Sequence, residues 1–354
     1  MKLSKEEIIK KYIQDLRNRV GNFDLKVQTS AILNNFFRVK GYDFYFGPRL
    51  AQQDNGRPIK TPDFQAHKEQ KNDIIGEIKQ GLPNPNSENY DKKVAKNLEQ
   101  LESYNGNLVG ISTPHDVFFS APSWCNEAIA YFIKEISANS ALKNKVIVLK
   151  YGWLRGNNHS QLSISKIYGN FSDSDINQEF LYKDYLVGEG DLEQIQGYYK
   201  ILYTEEQYND TPIEYIMLVL WHNVFPELIK TAEFDKTMER IKVGKNSLRF
   251  KVEEILEIID KMYTLKTASN QTGKQFSKEM VVDALESFVK INKAQKLNDS
   301  GTNPEFVITH SKISSSKDDL ITYLIKELRM EEFEKKAEIE YQKQLHKNLE
   351  EINS

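Results

Sequence analysis

Two carboxylates and a lysine stand at a spacing that could do chemistry. Asp63 follows Pro62 in Thr61-Pro62-Asp63, and Glu77-Ile78-Lys79 closes an aliphatic run a short way downstream. Side chains two apart in a strand share a face, so Glu77 and Lys79 project together while Ile78 enters the opposite layer. With Asp63 on a neighbouring strand, two carboxylates meet. Their mutual repulsion, and the cost of burying them without a cation, are both relieved by a divalent ion. Oxygen donors with positions left for water suit Mg2+, with Mn2+ as a substitute. Such an ion polarises a phosphate oxygen and acidifies bound water. Lys79 would hold that water, or the charge that builds on the phosphate.

The elements that must position these residues follow from the pattern. Helices are predicted over residues 5–19 and 29–39, the second with Ile32, Leu33, Phe36 and Phe37 on one face and Gly41 just beyond it. Strand-like runs follow at 42–46, 61–66 and 74–79, with Asn55-Gly56-Arg57-Pro58 as a turn between the first two. A helix at 90–104 puts Gln100 and Tyr104 on one face, behind Lys92, Lys93 and Lys96. Further strands are predicted at 108–112, 117–119 and 145–150, with a helix at 124–137. Residues 160–210 are acidic and broken by glycines, and read as loops and short elements. Helical patterns resume at 212–230, 249–263, 277–293 and 317–353.

Pro62-Asp63 followed by Glu77-Ile78-Lys79, with a helix ahead of three strands and a helix and strand behind, resembles the PD-(D/E)XK motif of restriction endonucleases, recombination exonucleases and junction resolvases. Gln100 and Tyr104 are similar to the Q-x-x-x-Y element of the exonuclease branch. The resemblance spans about residues 20–150. It implies an α/β fold with a restriction-endonuclease-like mixed sheet flanked by helices. It implies Asp63, Glu77 and the Ile78 carbonyl as ligands of Mg2+, with Lys79 as the catalytic lysine. Gln100 and Tyr104 would contact substrate, and Lys93 and Lys96 would track a nucleic-acid backbone. One departure stands out. Many relatives carry a glutamate on the first core helix, where this chain offers Gln28, with Asp24, Glu6 or Glu7 as alternatives. One metal is therefore expected rather than two, with Gln28 on a metal-bound water or a phosphate oxygen.

The remainder bounds the reading. A chain of 354 residues is too long for one ordinary core. Residues 1–155 form the expected nuclease-like domain and 156–245 a connecting region. Residues 246–315 resemble a winged-helix module in a mainly α C-terminal region: apolar helical stripes, Ser277 as an N-cap, a turn at 298–301 and a strand at 305–309. In that module Lys290, Lys293 and Lys296 would face DNA, and 316–354 is a charged helix. A net charge of -3 gives no global attraction for nucleic acid, so any contact must be local. The single cysteine, Cys125, excludes an internal disulfide, and no signal peptide or spanning segment is read, so a cytoplasmic location without a membrane partner is expected. No phosphate loop or H-E-x-x-H motif is present. His67 shares strand parity with Asp63 and stands as a lesser candidate. The expectation is a Mg2+-dependent nuclease acting on DNA, as a homodimer or a subunit of a larger complex, such as a restriction or anti-phage defence component. The rival is a non-catalytic nucleic-acid-binding or assembly subunit on the same scaffold.

Overall fold

A long helix, α1 (Lys5–Val39), opens the chain in the computed structural model. The structure describes residues 3–48, 50–59, 61–143, 145–155, 160–182, 185–188, 211–234, 247–262, 276–298, 303–309 and 317–353. Where the sequence predicts two helices, α1 runs unbroken through Gly21. An exposed glycine costs a helix only about 1 kcal/mol, and no proline interrupts the run. At 1.5 Å per residue α1 is about 50 Å long.

The chain divides into two compact units, and the boundary falls within α1 between Asp24 and Leu25. One unit comprises Leu25–Ile201 with Thr264–Lys274. Its seven strands lie in chain order: β1 (Asp43–Phe46), β2 (Phe64–His67), β3 (Ile74–Ile78), β4 (Asp116–Pro122), β5 (Val146–Arg155), β6 (Ser160–Tyr168) and β7 (Tyr185–Gly188). The pairs β3–β4 and β4–β5 are parallel, and the other neighbours are antiparallel. The parallel pairs need crossovers, supplied by α2 (Tyr90–Tyr104) and α3 (Asn126–Ala138).

Alternation along the central strands sorts the core into two layers. Ile75, Val117, Phe119, Val146 and Val148 meet α2 and α3 through Val94, Leu101, Ile129 and Phe132. The intervening Ile74, Ile78, Phe118, Ile147 and Leu149 meet α1 through Ile32, Leu33, Phe36 and Phe37, and α4 (Ser174–Tyr182) through Ile176. The result is a mixed sheet covered on both faces, which suits its continuously buried β3 and β4. Two expectations change. Residues 108–112 form no strand: Leu108 makes one isolated bridge to Gln52, and with Ile111 it is buried under the α2–α3 layer. Burial without a ladder had produced the apolar run. β6 and β7 extend the sheet past residue 155, through a stretch that reads as loops because β6 turns Ser163 and Ser165 inward instead of hydrophobes.

The second unit comprises Met1–Asp24, Leu202–Tyr263 and Gln275–Ser354. It holds α5 (Ile213–Val219), a π-helical turn (Leu220–Val224), α6 (Phe225–Phe234), β8 (Ser247–Lys251), α7 (Val252–Met262), α8 (Lys278–Lys290), β9 (Ala294–Asn298), β10 (Glu305–Thr309) and α9 (Lys317–Asn353). Its small antiparallel sheet has the order β8-β10-β9. The helix predicted from Arg249 starts at Val252 instead. Leu248 and Phe250 are buried at a spacing of two, and Arg249 pairs with Glu305 across the strands at 2.6 Å. The Ser277 hydroxyl caps α8 by accepting from the Met280 N–H at 3.2 Å. Of the turn expected at 298–301, Asn298 ends β9, and 299–301 lie outside the described residues. Helix α9 runs antiparallel to the first half of α1: Leu3 donates to Gln344, and Tyr12 meets Glu340 and Phe333. Among the described residues no helix is long and apolar enough to cross a membrane.

Candidate active site

Asp63 sits one residue ahead of β2 rather than inside it. Its carbonyl accepts from the Gly47 N–H at 2.8 Å, which carries the β1–β2 ladder one step further. Gly47 has φ +51°, a conformation that glycine adopts without strain. The Asp63 carboxylate accepts from the Ile78 N–H at 2.6 Å, so the aspartate is fastened to the end of β3. Glu77 lies on β3, and Lys79 continues the strand by donating its N–H to the Ser120 carbonyl of β4 at 2.9 Å. The Lys79 carbonyl accepts from the Tyr151 hydroxyl of β5 at 2.5 Å. Both main-chain groups of Lys79 are thereby held.

The side chains close a ring. Lys79 Nζ donates to Glu77 Oε1 at 2.5 Å and to Gln100 Oε1 at 3.0 Å. Gln100 Nε2 donates to the Tyr104 hydroxyl at 2.5 Å, and that hydroxyl donates to Glu77 Oε2 at 3.0 Å. Six predicted site residues, Asp63, Glu77, Ile78 and Lys79 with the Gln100–Tyr104 pair on α2, thus meet at one end of strands β2–β4. Asp63, Glu77, Gln100 and Tyr104 are all buried. The Lys79 side chain keeps 23% of its surface exposed, the most open of the charged groups here.

A second cation completes the set, and the sequence motif does not contain it. Lys26 of α1, itself buried, places Nζ 3.1 Å from Asp63 Oδ1. Two carboxylates and two ammonium groups balance. Burial pushes the Asp63 carboxyl up, but Lys26, Lys79 and the Ile78 N–H together outweigh it and hold it below the usual range. Burial and the neighbouring Asp63 charge push Glu77 the other way, above the usual carboxylate range, despite Lys79. Burial and the Glu77 charge keep the Tyr104 phenol protonated, so it remains a hydrogen-bond donor. One signal for Lys26 was present: it lies at helical spacing with Ser30, Leu33 and Phe37, all buried, so a lysine interrupts the inward stripe of α1. The predicted helix start at residue 29 left it out.

Three further candidates lie on α1 and α2, and one on β2. Gln28 follows Lys26 by two residues, about 200° around the helix, so the two side chains leave opposite sides of α1. Lys93 and Lys96 are exposed on α2, and lie seven and four residues ahead of Gln100 on the same face. His67 stands at the far end of β2 from Asp63, with Nδ1 2.6 Å from Asp73 Oδ1. Asp73 in turn accepts from the Ser112 N–H at 2.6 Å, an arrangement that ties the β2–β3 turn to the loop before β4.

Three hard oxygen donors remain for a divalent ion: the two carboxylates and the Ile78 carbonyl. The N–H and C=O of one strand residue leave on the same side, so the Ile78 carbonyl leaves toward Asp63, as its N–H does. Each carboxylate has about four lone-pair positions, so contacts to the lysines and the Tyr104 hydroxyl do not exhaust them. This donor set fits Mg2+. Among the described residues no group of three or more His, Cys, Asp or Glu side chains could hold a metal ion. No protein-family model, curated protein or solved structure matches the chain.

Proposed function

We propose that this chain is a Mg2+-dependent nuclease of the PD-(D/E)XK type that hydrolyses phosphodiester bonds in DNA with one metal ion. The observation that supports it most is the convergence of Asp63, Glu77 and Lys79 with Gln100 and Tyr104 from a separate helix. A solvated surface salt bridge would not bury both acids or enclose them in a ring of hydrogen bonds. Bound by Asp63, Glu77 and the Ile78 carbonyl, Mg2+ would polarise the phosphate and acidify a water. Lys79, the most exposed of the charged groups, would hydrogen-bond the attacking water or a non-bridging oxygen. Gln100 holds Lys79 in that position, and Tyr104 fixes the orientation of Glu77. Lys26 supplies one positive charge against Asp63 without a second ion. With one Mg2+ bound, the site carries a surplus of two positive charges, which suits an anionic phosphodiester.

The order helix, β8, α7, α8, β9, β10, with β10 between the other two strands, supports a winged-helix reading of the second unit. Its charges argue against a DNA-reading role. Glu279, Asp283 and Glu286 lie between the buried positions of α8. Lys278 pairs with Glu253, Lys296 with Glu286, and Lys293 lies over the Tyr323 ring, while Lys290 is exposed at the end of α8. We assign DNA contact to the unit that holds the site, and protein contact or assembly to the winged-helix-like unit. A second reading, a nucleic-acid binder without catalysis, is favoured by the charge balance that Lys26 gives the site without metal. Incubation of labelled single-stranded DNA, duplex DNA and RNA with Mg2+, Mn2+ or EDTA separates the two. Cleavage that requires the metal supports the nuclease. Binding without cleavage supports the alternative.

A further inference from the structure

Trp124 leaves 60% of its surface in solvent, which is unusual for the largest apolar side chain, and yet it is firmly mounted. It belongs to a 3-10 turn (Ser123–Cys125) between β4 and α3. A Cβ on Gly81 would lie 3.0 Å from Trp124 Cη2 and 3.3 Å from Cζ2, so the indole edge rests on the Gly81 backbone. Gly81 is two residues beyond Lys79. The same turn is fixed twice more: the Leu82 N–H donates to Cys125 Sγ at 3.4 Å, and a Cβ on Gly152 of β5 would meet Ser123 Oγ at 2.0 Å.

We propose that Trp124 is a stacking platform for an unpaired base, and that the substrate is single-stranded nucleic acid with its scissile phosphate at Asp63, Glu77 and Lys79. The proposal rests on the nuclease reading and names its substrate class. Bases in a duplex are stacked on one another and offer only groove edges, whereas a single strand offers π-faces that an indole accepts whatever the sequence. The charge nearby suits the backbone of such a strand. Lys93 and Lys96 lead along α2 toward Gln100, and the ammonium of Lys134 lies 5.0 Å from the centre of the half-exposed Tyr131 ring on α3. A protein partner would ask for a continuous apolar patch. Among the described residues the other exposed large apolar side chains are Val109, Tyr131, Ile167, Leu297 and Ile339, of which only Tyr131 lies on an element adjoining the Trp124 turn.

Equilibrium binding in EDTA reads the platform without cleavage. Wild type, Trp124→Ala and Trp124→Phe are titrated with a labelled single strand, the same sequence as a duplex, and RNA of that sequence, with thermal unfolding as the check on folding. Trp124→Ala is expected to weaken single-strand binding about 10- to 100-fold, and to abolish the quenching of tryptophan fluorescence by the strand. Trp124→Phe should keep most of the affinity, and duplex binding should hardly change. Equal single-strand affinity in wild type and Trp124→Ala, equal losses on single strand and duplex, or a wild type that prefers duplex would each overturn the platform. Trp124-dependent binding by a protein that never cleaves would instead overturn the nuclease reading alone.

Discussion

At the scale of single residues, the site sets two carboxyls apart. Asp63 is held ionised by Lys26, while Glu77 is pushed toward its neutral form by burial and by Asp63 itself. The consequences for stability have opposite signs. A depressed carboxyl stabilises the fold above its unfolded pKa, and that contribution is lost as pH falls through the folded value. Lys26→Met leaves Asp63 buried without that cation and should cost about 3 kcal/mol at neutral pH. In urea titrations the gap from wild type should narrow as pH is lowered toward the point where Asp63 is protonated. A gap independent of pH would mean that Lys26 acts by packing alone. A raised carboxyl does the reverse: its contribution is present below the unfolded pKa and lost as pH rises through the folded value. Glu77→Gln should therefore raise the melting temperature of the metal-free protein at neutral pH, lose that advantage in acid, and abolish Mg2+ binding by calorimetry. A variant less stable at neutral pH would show that the ion pair with Lys79 outweighs the cost of burial.

At the scale of elements, β3 is the piece that everything else positions. Gly76 pairs with Phe64 on β2 and Phe118 on β4, and a Cβ there would lie 2.1 Å from Phe64 Cζ and 2.7 Å from Phe118 Cζ. Gly76→Ala must displace two buried rings next to Glu77. It should destabilise the sheet by about 3 kcal/mol, measured by denaturant unfolding, and reduce cleavage through a displaced Glu77. Unchanged stability would mean that the rings repack freely. Much of this element was legible beforehand. The aliphatic run of β3, the parity of Glu77 and Lys79, and the shared face of Gln100 and Tyr104 all follow from periods of 2 and 3.6. Other parts were hidden for physical reasons. Leu108 and Ile111 are apolar because α2 and α3 cover them, not because they pair in a sheet. Ser163 and Ser165 mask the alternation of β6. Lys26 lay inside a helix predicted to begin later, and only tertiary packing brings it to Asp63. The contact of Trp124 with Gly81 is likewise invisible to any local pattern.

For the whole molecule, a net charge of -3 leaves binding to local patches. The two units divide that task unequally. Lys93 and Lys96 are exposed beside the candidate site, while Lys278, Lys293 and Lys296 of the other unit are engaged by Glu253, the Tyr323 ring and Glu286. Replacing Lys93 and Lys96 together by Ala should reduce the slope of log affinity against log salt by roughly 1 to 2. Replacing Lys293 and Lys296 together should leave that slope unchanged. The reverse pattern would return DNA contact to the winged-helix-like unit.

The proposed activity requires Asp63, Glu77 and Lys79 to form a one-metal hydrolytic centre. Single-turnover cleavage of labelled single-stranded DNA, with wild type, Asp63→Asn and Lys79→Ala over a range of Mg2+ concentrations, tests it most directly. Cleavage should require the metal, rise with a single-site dependence on its concentration, and fall by about 100-fold or more in each variant. Cleavage that persists in EDTA, or full activity in both variants, would contradict it.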